Sequence, residues 1–259
     1  MTSIVVSSQK GGVGKTTVSI NLAFAFARAG WNVLLVDSDP QGSVGLSLTR
    51  QSRKLLGFFD YIGDEKQRFD KLVVPTRMNT LSMIPAGQGE GYELGGGYDE
   101  SVADRVKNFL GDVESRGYDI CIMDSAAGLF GITRDVLVSA DAVLVPQQAE
   151  PLGIRSVPKM LQGLTELRAN NTKLSILGVL LTMVQRELEE SAEAADGLRE
   201  LLPAQLVMKQ EVTRDGLFLK ASSKGVPVGV LQGSARLLNT FDDLRLEIES
   251  KLGISQKLK

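Results

Sequence analysis

The stretch Ile4-Val5-Val6-Ser7-Ser8-Gln9-Lys10-Gly11-Gly12-Val13-Gly14-Lys15-Thr16-Thr17 joins a short apolar run to a segment whose apolar residues recur at spacings of three and four. It reads as strand, glycine loop and helix. Glycines let the backbone curl so that successive N–H groups converge on phosphate oxygens, and a helix starting at Lys15 aims its positive dipole end at the same anion. Lys15 is then placed to bridge the outer phosphates of a nucleotide, and the Thr16 hydroxyl to ligate Mg²⁺. Gly11, Gly12, Val13, Gly14 and Thr17 complete the cradle. A chance glycine-rich turn would account for the glycines, but not for strand, loop, Gly-Lys-Thr and helix together. The ordinary form of this loop has a glycine five residues before Gly14. Here that position is Gln9, and a second lysine follows at Lys10.

Outward from the loop, short apolar runs alternate with longer segments of helical period. This is the pattern of strand-helix crossovers feeding a parallel sheet covered on both faces. Strands are expected at Ile4–Ser7, Val33–Asp37, Leu81–Ile84, Ile120–Asp124, Ala142–Pro146, Ile176–Thr182 and Leu206–Met208. Helices are expected at Lys15–Ala29, Val102–Ser115, Gly153–Ala169, Glu187–Leu201 and Ser234–Leu252. The fold class is α/β: an open, mostly parallel twisted sheet with helices on both faces. No repeat or composition break divides the chain, so residues 1–259 read as one domain. The Lys- and Arg-rich stretch Gln51–Arg77 reads as an elaboration of its edge, and glycine-rich Pro85–Gly97 as a surface loop.

Two further segments end strands in carboxylates. Val33-Leu34-Leu35-Val36 runs into Asp37-Ser38-Asp39-Pro40-Gln41-Gly42, and Ile120-Cys121-Ile122-Met123 into Asp124-Ser125-Ala126-Ala127-Gly128. A carboxylate at the C-terminal end of a parallel strand faces the ligand crevice, where it can orient water or a metal shell. Taken alone, Asp37 or Asp39 reads equally well as a helix N-cap. Asp124 would accept a hydrogen bond from Thr16 or from the metal shell.

With its two lysines, the loop resembles the deviant Walker A motif of the ParA/MinD superfamily of dimerising ATPases. The Asp-x-Asp-Pro-Gln-Gly segment, the strand ending at Asp124, Val145–Pro151 and Leu180–Arg186 also resemble ParA segments, so the likeness covers nearly the whole chain. The resemblance implies ATP and Mg²⁺ as cofactors. It further implies that Lys10 reaches the partner's nucleotide in an ATP-bound homodimer, that Asp39 positions the attacking water, and that Asp37 supports the magnesium site. Family members hold the adenine base after the strand ending near Thr182, which makes Met183 to Gln185 candidate base contacts. One departure is plain: relatives carry Thr-Pro-Pro after the second carboxylate strand, whereas this chain has Ser125-Ala126-Ala127. Losing two prolines should soften the segment that senses the γ-phosphate.

Composition narrows the chemistry. Of 259 residues, 43% are hydrophobic and 23% charged, close to a soluble globular average. Lys and Arg number 29 against 31 Asp and Glu, so any anion-binding surface must be local. There is no histidine, which removes Ser-His-Asp catalysis and His-ligated zinc. The single cysteine, Cys121, lies in an apolar strand and reads as a core thiol of a cytoplasmic protein. No secretory leader or membrane-spanning segment is expected.

The same features sort the branches of the family. Members that carry an iron–sulfur cluster or zinc need more than one cysteine, and those with a C-terminal tyrosine cluster are unlike a chain whose last tyrosine is Tyr118. MinD-like members end in an amphipathic lipid-binding helix. Here Leu237, Phe241, Leu244, Ile248 and Leu252 form a core-facing stripe, and the basic tail after them offers few apolar anchors. Partition-type ParA proteins bind DNA without sequence preference through surface lysines and arginines. Lys209, Arg214, Lys220 and Lys224 are the candidates for such a patch. The expectation is a small, nucleoid-associated ParA-type ATPase whose slow hydrolysis is stimulated by a ParB-like or other cargo adaptor. A MinD-like membrane-associated positioning ATPase and a small-molecule P-loop ligase or synthetase are the alternatives.

Overall fold

A computed structural model describes residues 1–48, 54–64, 67–88 and 100–255. Most of the glycine-rich stretch, part of the Lys/Arg-rich stretch and the last four residues therefore lie outside the described residues. Eight strands form one sheet: β1 (Thr2–Val6), β2 (Val33–Ser38), β3 (Val74–Pro75), β4 (Leu81–Ile84), β5 (Ile120–Ser125), β6 (Ala142–Gln148), β7 (Ser175–Val184) and β8 (Val207–Thr213). The order across the sheet is β3-β4-β2-β5-β1-β6-β7-β8. Every pairing is parallel except β3 with β4. The short antiparallel β3 lies at the sheet edge, as expected of an elaboration drawn from 51–77.

The central strands are apolar on both faces because helices cover both. Side chains alternate across the sheet. Val5, Leu34, Val36, Cys121, Met123, Val143 and Val145 face one core, and Ile4, Val6, Val33, Leu35, Ile120, Ile122 and Leu144 the other. The first core takes α3 (Phe58–Gly63), α4 (Glu100–Ser115), α5 (Ile132–Ser139), α6 (Pro151–Arg155), α7 (Val157–Leu167) and α8 (Glu189–Leu201). The second takes α1 (Lys15–Arg28), α2 (Ser43–Leu48), α9 (Gly216–Lys224) and α10 (Ala235–Leu252). The α10 stripe is buried as expected at Leu237, Phe241, Leu244 and Ile248. At the far end of α1, Trp31 sits edge-on to Phe26 and donates its indole N–H to Glu249 of α10 at 2.8 Å.

The structure corrects several expected boundaries. The helix expected over Gly153–Ala169 is two, because Pro158 has no N–H for the carbonyl four residues back; α6 ends at Arg155 and α7 restarts at Val157. β8 runs on to Thr213 through Lys209-Gln210-Glu211, polar because an edge strand meets solvent. Helix α9 was not anticipated, although Asp215 caps the Leu217 N–H at 2.9 Å and Gly225 closes its end at φ +66°. No helix among the described residues is long and apolar enough to cross a membrane.

Candidate nucleotide-binding site

β1 lies in mid-sheet between β5 and β6, so the loop leaving it opens at the C-terminal edge of the sheet, flanked by the ends of β5 and β6, with the end of β2 beyond β5. Gly12 and Gly14 adopt φ of +77° and +89°, a conformation a side chain would strain, and the loop curls over the start of α1. Gly14 is the N-cap of α1, with no side-chain cap and no acidic residue in the first turn. The first N–H groups of α1 and its dipole are therefore available to an anion. Lys15 is buried beneath the loop, and burial lowers its pKa against the opposing pull of Asp124 and Asp39.

Asp124 is anchored from α1. Thr16 donates its hydroxyl to Oδ2 at 2.7 Å, and Ser19 donates to Oδ1 at 2.8 Å. Burial raises the Asp124 pKa to about 6, with the two hydroxyls and Lys15 pulling the other way. Sequence reasoning missed Ser19; the signal was its position one helical turn after Thr16, on the face towards β5.

Asp37 pairs with Asp124 in register across β2 and β5 and is wholly buried. Its Oδ2 accepts the N–H groups of Val44 and Gly45 at 2.9 and 3.1 Å, so it caps the start of α2. Burial, followed by the nearby Asp124, pushes its pKa up to about 8. The capping reading thus holds for Asp37, beside any role at a metal. Asp39 is half-buried in a tight turn: its Oδ1 accepts the Gln41 N–H at 2.9 Å, and its carbonyl accepts that of Gly42 at the same distance.

The donor chemistry suits Mg²⁺. Buried carboxylates with raised pKa values gain from a cation, and Thr16 carries the hydroxyl that would ligate it while Asp124 and Asp37 hold its surroundings. Among the described residues there is no cluster of three carboxylate, thiol or imidazole groups that could hold a metal ion.

The remaining wall comes from β6 and β7. Thr182 donates its hydroxyl to the Val13 carbonyl at 2.8 Å, tying the loop to β7. Met183, the next residue, has a positive φ of 52°, alone in this among the non-glycine described residues, and its methyl group approaches Gly14. Gln185 receives an Arg214 guanidinium N–H at 3.5 Å. Lys10 stands half-exposed on the open side, its Nζ 4.0 Å from Glu150 at the start of α6. Sequence reasoning assigned no role to Thr182 or Glu150.

The four DNA candidates do not form one cluster. Lys220 and Lys224 are exposed one turn apart on α9, and exposed Arg214 lies just before that helix at the C-terminal end of β8. Lys209 is five residues back along β8, about 16 Å at roughly 3.3 Å per residue. It lines a groove with Asp243 and Glu247, and its backbone N–H is held by the Glu247 carboxylate at 3.0 and 3.1 Å.

The profile of the AAA domain family matches residues 1–176. The chain is 34% identical to the chromosome partitioning protein ParA of Caulobacter vibrioides over 201 residues, covering 76% of this chain and 74% of that protein. It is 30% identical to the sporulation initiation inhibitor protein Soj of Bacillus subtilis over 253 residues, covering 95% and 97%. Its fold is similar to that of McdA from Cyanothece, solved in complex with ATP, with TM-score 0.81 and 22% identity over 100% of this chain and 99% of that one. The two-lysine phosphate loop, the carboxylate-ended β2 and β5 and these likenesses agree: the chain belongs to the ParA/MinD superfamily of deviant Walker A ATPases.

Proposed function

We propose that this chain, working as one unit over residues 1–259, is a ParA-type positioning ATPase that takes ATP with Mg²⁺, dimerises around it, binds DNA without sequence preference and releases it on hydrolysis. The observation that carries the reading is the joint placement of Lys15, Thr16 and Asp124 beneath a loop whose second lysine, Lys10, faces outward.

The N–H groups of Gly11 to Thr17 and the amine of Lys15 hold the phosphates. Lys10 swings from Glu150 to the nucleotide of a facing copy. Thr16 would hold Mg²⁺, which would supply positive charge against the phosphate oxygens. Asp39 orients a water in line with the γ-phosphate, and Lys15 and Lys10 stabilise the charge that develops there. Met183 and Gln185 flank the base. The motifs themselves supply no arginine finger, so basal turnover is slow and a cargo-bound, ParB-like adaptor accelerates it. Arg214, Lys220 and Lys224 form the DNA patch, which makes the ATP form nucleoid-associated within the cytoplasm.

Asp39→Ala tests the reading. The variant should bind ATP, remain dimeric and sediment with plasmid DNA; wild-type turnover in Asp39→Ala would overturn the role of Asp39. Co-sedimentation of the ATP form with anionic liposomes and not with DNA would replace the partition reading by a MinD-like one.

A further inference from the structure

Asp124 is followed by Ser125-Ala126-Ala127-Gly128-Leu129-Phe130-Gly131, a segment with two glycines and no proline. Side chains restrain it instead. Ser125 donates its hydroxyl to the Val6 carbonyl at 3.1 Å, and the Gly128 N–H donates to the Ser8 carbonyl at 2.9 Å, drawing the segment against the entry to the phosphate loop. Phe130 folds back over Gly128, where φ is +98° and a Cβ would lie 2.5 Å from ring carbon Cε1. Leu129 points the other way, into α7. A Cβ on Gly163 would lie 2.5 Å from its Cδ1.

Gly163 is inside a helix, where glycine is unfavourable relative to alanine. The seat it makes for Leu129 gives that glycine a purpose. Helix α7 is itself fixed to the core through Val157, Met160, Leu164 and Leu167. Leu129 thus joins a helix anchored in the core to a proline-free loop that is otherwise tied mainly to the phosphate-loop side.

We propose that Leu129, seated in the notch at Gly163, is a positioning residue: it borrows the rigidity of α7 to hold residues 126–131 in register with the phosphate loop. Its effect on turnover rests on the ATPase reading above; its effect on the loop does not.

The experiment compares wild type, Leu129→Ala and Gly163→Ala in amide hydrogen exchange, ATP affinity and turnover. Both variants should speed exchange selectively at 126–131, leave ATP affinity within about twofold, and lower kcat by about tenfold, less than the roughly hundredfold that a 1 Å misplacement can cost. Adding Ala127→Pro to Leu129→Ala restricts the backbone directly and should return both exchange and kcat towards wild type. Unchanged exchange at 126–131, acceleration spread over the whole of α7 and α5, or no recovery with the proline would overturn the proposal, since a core-filling leucine predicts those results. If wild type fails to hydrolyse ATP, the proposed function falls while the exchange comparison still decides the role of Leu129.

Discussion

Ser19 donates a 2.8 Å hydrogen bond to Asp124 Oδ1, one turn of α1 below the threonine that holds Oδ2. The buried carboxylate therefore has both oxygens satisfied from a single helix. Ser19→Ala leaves one of them without its donor, at a cost of about 1–3 kcal/mol in stability. Losing a bond that favours the ionised form also moves the Asp124 pKa above its present value of about 6. Magnesium-dependent nucleotide binding should then weaken more at pH 6 than at pH 8, measured by titration calorimetry.

Lys10 and Glu150 are separated by 4.0 Å, and both are more than a third exposed, so their attraction is screened. Lys10→Ala should change the stability of the free protein by less than about 1 kcal/mol. It should nonetheless abolish ATP-induced dimerisation in light scattering, because the side chain is freed for work across the interface at little cost.

The buried carboxylates, whose pKa values are raised, make the magnesium-free protein sensitive to alkali. Asp37 has a folded pKa raised to about 8, so the folded state holds its proton more tightly than the unfolded chain. Its contribution is most favourable below the ordinary carboxylate range and declines as pH rises towards about 8. Asp37→Asn keeps an oxygen for the Val44 and Gly45 N–H groups and has nothing to titrate. Urea midpoints in EDTA should fall less steeply with pH in this variant, most clearly between about pH 6 and pH 8, where Asp124 has largely ionised and Asp37 has not.

The basic residues should separate by position. Removing Lys220 and Lys224 together should reduce the slope of log affinity against log salt for DNA by about 2, near 0.9 per phosphate contact. Lys209→Ala should leave the slope unchanged, because Lys209 shares its groove with Asp243 and Glu247. An equal loss for Lys209 in a fluorescence titration would show that the patch extends along β8.

Much of this was legible because local chemistry and fold agree. A strand buried on both faces, a glycine loop and a helix lacking an N-terminal cap can each be read from adjacent residues, and the strands carrying Asp37 and Asp124 were found the same way. What escaped the sequence depends on contacts between distant segments. Thr182 meets Val13 across 169 residues, and nothing beside either announces it. Choosing Asp37 over Asp39 as the cap needed the position of α2, and the isolation of Lys209 needed the course of α10. The short helices α5 and α9 went unseen because fewer than three turns leave little periodicity, although the cap at Asp215 was available.

Trp31 is the chain's one tryptophan, and it lies at the opposite end of α1 from the nucleotide loop, about 20 Å away at 1.5 Å per residue. Its buried indole, bonded to Glu249, is a built-in fluorophore for the seam between the first and last helices. A red shift in its emission marks the parting of the two chain ends, without any label and without optical interference from a second indole.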